Sequence, residues 1–210
     1  MRVLGVDPGA TGALAMWDTG LDALAVADIP STLVRTGKSR RRQISETWLA
    51  DILRSYQPDC AWIERVHALP GQGVTSSFSF GLAYGLVRGA LAALQVPVTL
   101  ITPNEWKRHF RLSSDKNEAR LIAARLFPAN AQQFVRVCDD GRAEAALLAL
   151  FGSQQQKSFL YLAMDMYRRP FPSQTHSIDL TDSMLTNTLI LVQQVCAAER
   201  LTRFHLETHN

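Results

Sequence analysis

Two dense apolar runs, far apart in the chain and each closing on an acid, constrain what this sequence can fold into. They are VLGVD, ending at Asp7, and CAWIE, ending at Glu64. Short apolar runs bounded by glycine, proline and polar residues read as buried strands. In the opening segment, Arg2 to Asp18, Val3, Leu4 and Val6 make the first strand. Pro8 and Gly9 then force a turn, and Gly12 starts a second apolar stretch through Trp17 that pairs back as a hairpin. Asp7 stands at the strand end beside glycines that keep bulk away, a place suited to holding a divalent cation against a phosphate. The plainer reading is a turn aspartate bonded to its own backbone. Glu64 follows Ala61, Trp62 and Ile63, and a carboxylate in a core strand costs on the order of several kcal/mol unless paired or bound to metal. Alternation sends its neighbour Arg65 to the opposite face, so an ion pair would need an arginine from elsewhere.

The chain of 210 residues is 47% apolar and 20% charged, which suits a globular protein with a proper core and argues against disorder. No segment reaches the ~20 unbroken apolar residues of a membrane span. The N-terminus reads as a strand, not as a charged leader, so export is not expected. Cys60, Cys138 and Cys196 are widely spaced, as expected of reduced thiols in a cytosolic protein. Net charge is only +3, yet no acid falls between Asp28 and Glu46, where Arg35, Lys38, Arg40, Arg41 and Arg42 cluster. That run reads as a loop, either simply solvated or an arm that neutralises backbone phosphates.

Leu24 to Ile29 completes a three-strand meander. Ser45 caps a helix to about Tyr56, and the strand at residues 60 to 66 follows. After the glycine-rich Pro70-Gly71-Gln72-Gly73, a helix from about Thr75 to Leu94 carries Gly81, Gly85, Gly89 and several alanines. Val96 to Ile101 is a fifth strand, Pro103 opens a helix bearing Trp106 and Lys107, and Asp115 to Phe127 is another, bearing Lys116. From Arg142 onward DDGRAEAALLALFG is a strong helix former. Asp140 and Glu144 are four positions apart and share one face, where they repel unless a cation intervenes. An exposed acidic helix start is the alternative. A meander followed by alternating helices and strands predicts an α/β fold. Its mixed five-stranded sheet would have a three-strand antiparallel meander plus two parallel strands, flanked by helices. First and fourth strands can then be neighbours, bringing Asp7 and Glu64 together with the last helix across their ends. Four carboxylates there would surround a site for two Mg²⁺ ions.

GVDPGATGALA, WIERV, PGQGVTSSFSFG, PNEWK, the Asp115-Lys116 pair and DDGRAEAALLA occur in an order and spacing that resemble the RuvC-type Holliday junction resolvases of the RNase H-like superfamily, especially a phage-like and proteobacterial branch. The resemblance covers about residues 2 to 152 and leaves residues 153–210 as an extension of unknown role, with a helix expected at 181–204. It implies a Mg²⁺-dependent endonuclease, with Mn²⁺ as a substitute, that makes paired symmetric nicks in four-way DNA junctions as a homodimer and leaves 5′-phosphates. It implies Asp7 and Glu64 as metal ligands and Asp140 and Glu144 as the acidic pair of the final helix, although the family spaces that pair three apart and ends it in aspartate. Asp139 competes for that role. Lys107 and Lys116 fall where the family places lysines near the scissile phosphate, and His67 stands where cellular members carry a base-stacking aromatic. Arg35, Lys38, Arg40, Arg41, Arg42, His67, Gln72, Ser76 and Ser77 are the expected DNA contacts, and the small-residue helix is the expected dimer surface. The implied setting is cytoplasmic, with neither a membrane nor a nucleotide cofactor. Three rivals differ in testable ways. An actin-like kinase would need a second domain and would bind ATP, and a silent DNA-binding module would have no use for the acids. A sibling nuclease would share the metal chemistry and cut other branched DNA or RNA–DNA hybrids.

Overall fold

The structure is a computed structural model that describes residues 1–36, 39–67, 71, 73–113 and 115–168. Lys38, Gln72, the side chain of Lys116 and the helix expected at 181–204 lie outside the described residues. Strands β1 (Arg2–Asp7), β2 (Ala13–Asp18) and β3 (Ala23–Asp28) form the expected antiparallel meander. A hairpin of β4 (Ser31–Thr36) and β5 (Ser39–Ile44) follows, then α1 (Glu46–Tyr56), β6 (Cys60–Glu64) and α2 (Val74–Ala93). Next come β7 (Val98–Ile101), α3 (Pro103–His109) and α4 (Lys116–Leu126). Two 3₁₀ turns, Pro128–Phe134 and Val137–Asp139, lead into α5 (Asp140–Arg168). Residues Met1–Gln156 make one compact unit.

The main sheet has the order β3-β2-β1-β6-β7, with β6 parallel to both β1 and β7. This is the mixed five-stranded sheet the sequence predicts. Strand alternation sorts its residues between two packed layers. Leu4, Val6, Ala61 and Ile63 join Leu49, Leu53, Val87 and Leu91 of α1 and α2 in one layer. Val3 and Trp62 join Trp106, Leu147, Leu148 and Phe151 of α3 and α5 in the other. By the same period of two, Asp7 and Glu64 belong with Val3, Gly5 and Trp62, on the face covered by α5.

Three boundaries depart from expectation. The basic run is not a loop: β4 and β5 pair in register from Ser31 opposite Ile44 to Thr36 opposite Ser39. The buried Ile29 and Ile44 anchor the base of the hairpin, where Ser45 N–H donates to the Pro30 carbonyl at 2.8 Å. Helix α5 begins at Asp140, not Arg142, because the 3₁₀ turn before it delivers the chain already wound. It also runs through Gly152, whose missing Cβ accommodates the Trp62 indole; a Cβ there would sit 2.3 Å from that ring. Cys60 is buried, and its desolvation pushes the thiol up to about 12; Cys138 is exposed, and both are free. Among the described residues no helix is long and apolar enough to cross a membrane.

Candidate metal centre

Parallel pairing of β1 with β6 sets Val6 opposite Ile63, so the next residues along, Asp7 and Glu64, end the two central strands side by side. Helix α5 supplies the third acid. It can approach because Gly5 has no side chain: a Cβ there would lie 2.0 Å from the Ala145 carbonyl oxygen. At the helix start a Cβ on Gly141 would come within 2.6 Å of an Asp7 carboxylate oxygen, and one on Gly12 within 2.0 Å of the Asp7 carbonyl. Gly5 thus admits the helix, and Gly12 and Gly141 clear the space around Asp7. Within it, ligand oxygens of Asp7, Glu64 and Glu144 all lie within 4.8 Å of one another, each residue being half-buried. Carboxylates this close repel one another unless a cation sits among them. Hard oxygen donors in this number suit a hard divalent cation, so the donor set fits such an ion.

The surroundings come from α3, whose start is fixed by sequence. Pro103 occupies the first turn, and Thr102 and Glu105 form a reciprocal capping box. The bonds from Thr102 hold the Glu105 carboxyl below its ordinary range. So anchored, α3 places two consecutive residues beside the acidic group. Trp106, fully buried, donates its indole N–H to Glu64 Oε1 at 3.1 Å. Lys107 holds its Nζ 3.7 Å from Glu144 Oε1 and 5.2 Å from the centre of the Trp106 ring. Lys107 therefore lies beside the acids. Lys116 opens α4, its side chain outside the described residues.

The adjacent acids before α5 separate sharply. Asp139 is buried, and its carboxylate accepts from the Arg136 backbone N–H at 2.8 Å and from that guanidinium at 2.8 and 3.1 Å. Arg136 holds it below the usual carboxylate range. Asp139 is thus committed to the helix start and stands outside the acidic group. Asp140 also lies outside the 4.8 Å group; its Oδ1 accepts from Gly141 N–H at 3.1 Å. Arg142 grips Asp28, at the end of β3, with a two-pronged bond of 2.6 and 2.7 Å, which ties α5 to the sheet edge and lowers the Asp28 carboxyl. The roles of Trp106, Asp139 and Arg142 escape a reading of sequence. The one signal was a tryptophan beside an expected lysine.

Of the expected DNA contacts, Arg35, Arg40, Arg41 and Arg42 lie on the hairpin. His67 is exposed three residues past β6; Ser76 is exposed and Ser77 half-buried in the first turn of α2.

No family model matches the chain. Two curated relatives do, both crossover junction endodeoxyribonuclease RuvC of Nitratidesulfovibrio vulgaris. The strain DP4 protein is 33% identical over 116 residues, which is 51% of this chain and 65% of the relative. The Hildenborough strain protein is 33% identical over 119 residues, with the same shares. The match thus spans about 65% of the length of these relatives. Among solved structures, Thermus thermophilus RuvC in complex with a Holliday junction substrate superposes with a TM-score of 0.52 at 16% identity. That superposition covers 75% of this chain and 96% of the other. With its sheet order and α5-covered acidic edge, the chain has the RuvC-type, RNase H-like fold and is similar in sequence to the RuvC endonucleases of Nitratidesulfovibrio.

Proposed function

We propose that this chain is a Mg²⁺-dependent, structure-selective endonuclease that resolves four-way DNA junctions by paired symmetric nicks, with its chemistry in residues 1–152. The observation that carries the reading is the convergence of Asp7, Glu64 and Glu144, from β1, β6 and α5, on a space less than 4.8 Å across. The names of the curated relatives and the junction-bound structural neighbour support the choice of substrate.

In this reading Asp7, Glu64 and Glu144 hold the cation, and Asp140 serves a second ion from the same helix turn. Bound there, Mg²⁺ or Mn²⁺ would supply Lewis-acid activation of water and charge neutralisation at the scissile phosphate. The chain's own part is positional. Trp106 fixes the direction in which Glu64 presents its oxygens, Gly5 lets α5 bring Glu144 in, and the glycines at 12 and 141 keep side chains off Asp7. Lys107, with Lys116, offsets charge that builds on the phosphate as water attacks in line. Arg35, Lys38, Arg40, Arg41, Arg42, His67, Gln72, Ser76 and Ser77 contact the DNA outside the reacting group.

A two-fold junction needs two identical sites, so the working form is a homodimer. Gly81, Gly85 and Gly89 line an exposed stripe of α2, where a Cβ at each would meet nothing within 4 Å, and this stripe is the proposed dimer face. A monomeric mass by light scattering at assay concentration removes the dimer. Such an enzyme works where the DNA is, in the cytoplasm of a bacterial cell.

The deciding experiment compares cleavage of a synthetic four-way junction, a linear duplex and an RNA–DNA hybrid, with and without Mg²⁺, for wild type and Asp7→Asn. We expect junction-selective, Mg²⁺-dependent nicking that Asp7→Asn abolishes. Equal cutting of all three substrates defeats the junction assignment, and cutting that survives Asp7→Asn defeats the metal centre.

A further inference from the structure

We propose that Lys107 is an exchangeable counter-ion: it and a divalent cation are rival partners for Glu144, and loading of the centre turns the lysine over to the substrate phosphate. This rests on the metal-dependent nuclease reading above for the identity of the cation and of the phosphate.

The charge arrangement sets up the rivalry. Ligand oxygens of Asp7, Glu64 and Glu144 lie within 4.8 Å of one another, and the Lys107 ammonium sits 3.7 Å from Glu144 Oε1. A divalent cation held by Glu144 would share that oxygen's surroundings with the ammonium, and like charges so close in a half-buried site repel. The existing pair is also loose. Charge-assisted N–H···O bonds of full strength are about 2.7–2.9 Å long. At 3.7 Å Lys107 lends Glu144 its charge without a short hydrogen bond. Such a partner gives way to an ion that binds carboxylate oxygen at about 2.0–2.6 Å.

Lys107 can change partners without disturbing the fold, because other contacts hold α3 to α5. Trp106 shares a core with Leu147 and Leu148 of α5. The His109 Nε2 lies 2.7 Å from Gln154 Oε1, and its ring meets that of Phe151 edge-on. Lys107 is therefore not needed as a brace. Its side chain is 32% exposed, so the ammonium on its flexible four-carbon stem has solvent to move into. The Trp106 ring, 5.2 Å from Nζ and fully buried, keeps a favourable aromatic face near the ammonium whichever anion it serves.

The exchange couples two binding events. If loading frees Lys107 for a phosphate, a phosphate that engages Lys107 must favour loading by the same factor. The centre then holds metal more weakly alone than with DNA in place.

The test is Mn²⁺ binding by calorimetry for wild type, Lys107→Met and Lys107→Arg. Methionine keeps the apolar stem and removes the charge. Lys107→Met should bind Mn²⁺ about tenfold more tightly than wild type, and Lys107→Arg should bind as wild type does. A lysine that merely orients Glu144 predicts the opposite sign, since loss of a supporting group weakens metal binding. A saturating four-way junction should tighten Ca²⁺ binding in wild type, and several-fold less in Lys107→Met. Carbon-13 NMR at lysine Cε, assigned with Lys107→Arg, follows the exchange in the wild type itself: Mg²⁺ should move the Lys107 signal toward that of a solvated lysine. Weaker or unchanged Mn²⁺ binding by Lys107→Met overturns the proposal. So does equal tightening by the junction in both proteins, or a Lys107 signal that ignores Mg²⁺. Tighter Mn²⁺ binding by Lys107→Met in a protein that cuts nothing would defeat the nuclease reading and leave the rivalry for Glu144 standing. Junction cutting by wild type beside unchanged Mn²⁺ binding by Lys107→Met would defeat this proposal alone.

Discussion

Trp106 reaches Glu64 with one hydrogen-bond donor, and the loss of that donor can be separated from the loss of the ring. Trp106→Phe keeps the apolar body in the core, together with the aromatic face under Lys107, while Glu64 loses its fixed orientation. Substitution of such supporting groups costs about tenfold or more in metal affinity. We expect Mn²⁺ affinity by calorimetry to fall by about that factor, and the Mg²⁺ needed for half-maximal cleavage to rise with it. Asp139 makes a different prediction. Its carboxyl lies below the usual 3.8 because Arg136 bonds the charged form. Its stabilisation is therefore complete above that value and fades as pH falls through the lowered one. Asp139→Asn should cost about 1–3 kcal/mol at neutral pH and flatten the acid side of the stability profile measured by urea unfolding. At this scale Asp7 and Glu64 were legible, since each is an acid closing an apolar strand. The Asp139–Asp140 pair was not: only the fold shows that Arg136 and Arg142 both come to Asp139.

The contact of α5 with β1 depends on the absence of a side chain at Gly5. An added methyl would meet the Ala145 carbonyl oxygen at 2.0 Å and the Ala149 amide nitrogen at 2.4 Å, both backbone atoms that cannot turn aside. Gly5→Ala should cost about 3 kcal/mol in denaturant unfolding and, by lifting the helix, separate Glu144 from Asp7. Gly85→Ala is the control, because a Cβ there meets nothing within 4 Å. Measured on dilute monomer, where this helix position is exposed, it should stabilise by about 0.5–1 kcal/mol. The strands of the main sheet were readable as apolar runs, and the helices as periodic ones. The β4–β5 hairpin was not, because SRRRQI has the composition of a solvated loop. It is a strand only because Ser31–Thr36 pairs with it and Ile44 roots it in the core, and neither condition shows in the run itself.

For the molecule as a whole, the proposed metal centre makes a prediction about stability. A cation that binds only the folded arrangement of Asp7, Glu64 and Glu144 adds stability by mass action. Mg²⁺ should therefore raise the thermal midpoint of the wild type and leave that of Asp7→Asn nearly unmoved, as differential scanning calorimetry with and without EDTA would reveal. The global layout followed from sequence because a meander and two later strands admit few unknotted arrangements. Helix α5 has a further consequence for timing. On the ribosome, β1 and β6 are made early, but Glu144 emerges only after the rest of the sheet and the Lys107 it faces. A nascent chain that ends before α5 therefore lacks the third acid and cannot yet bring the three carboxylates together.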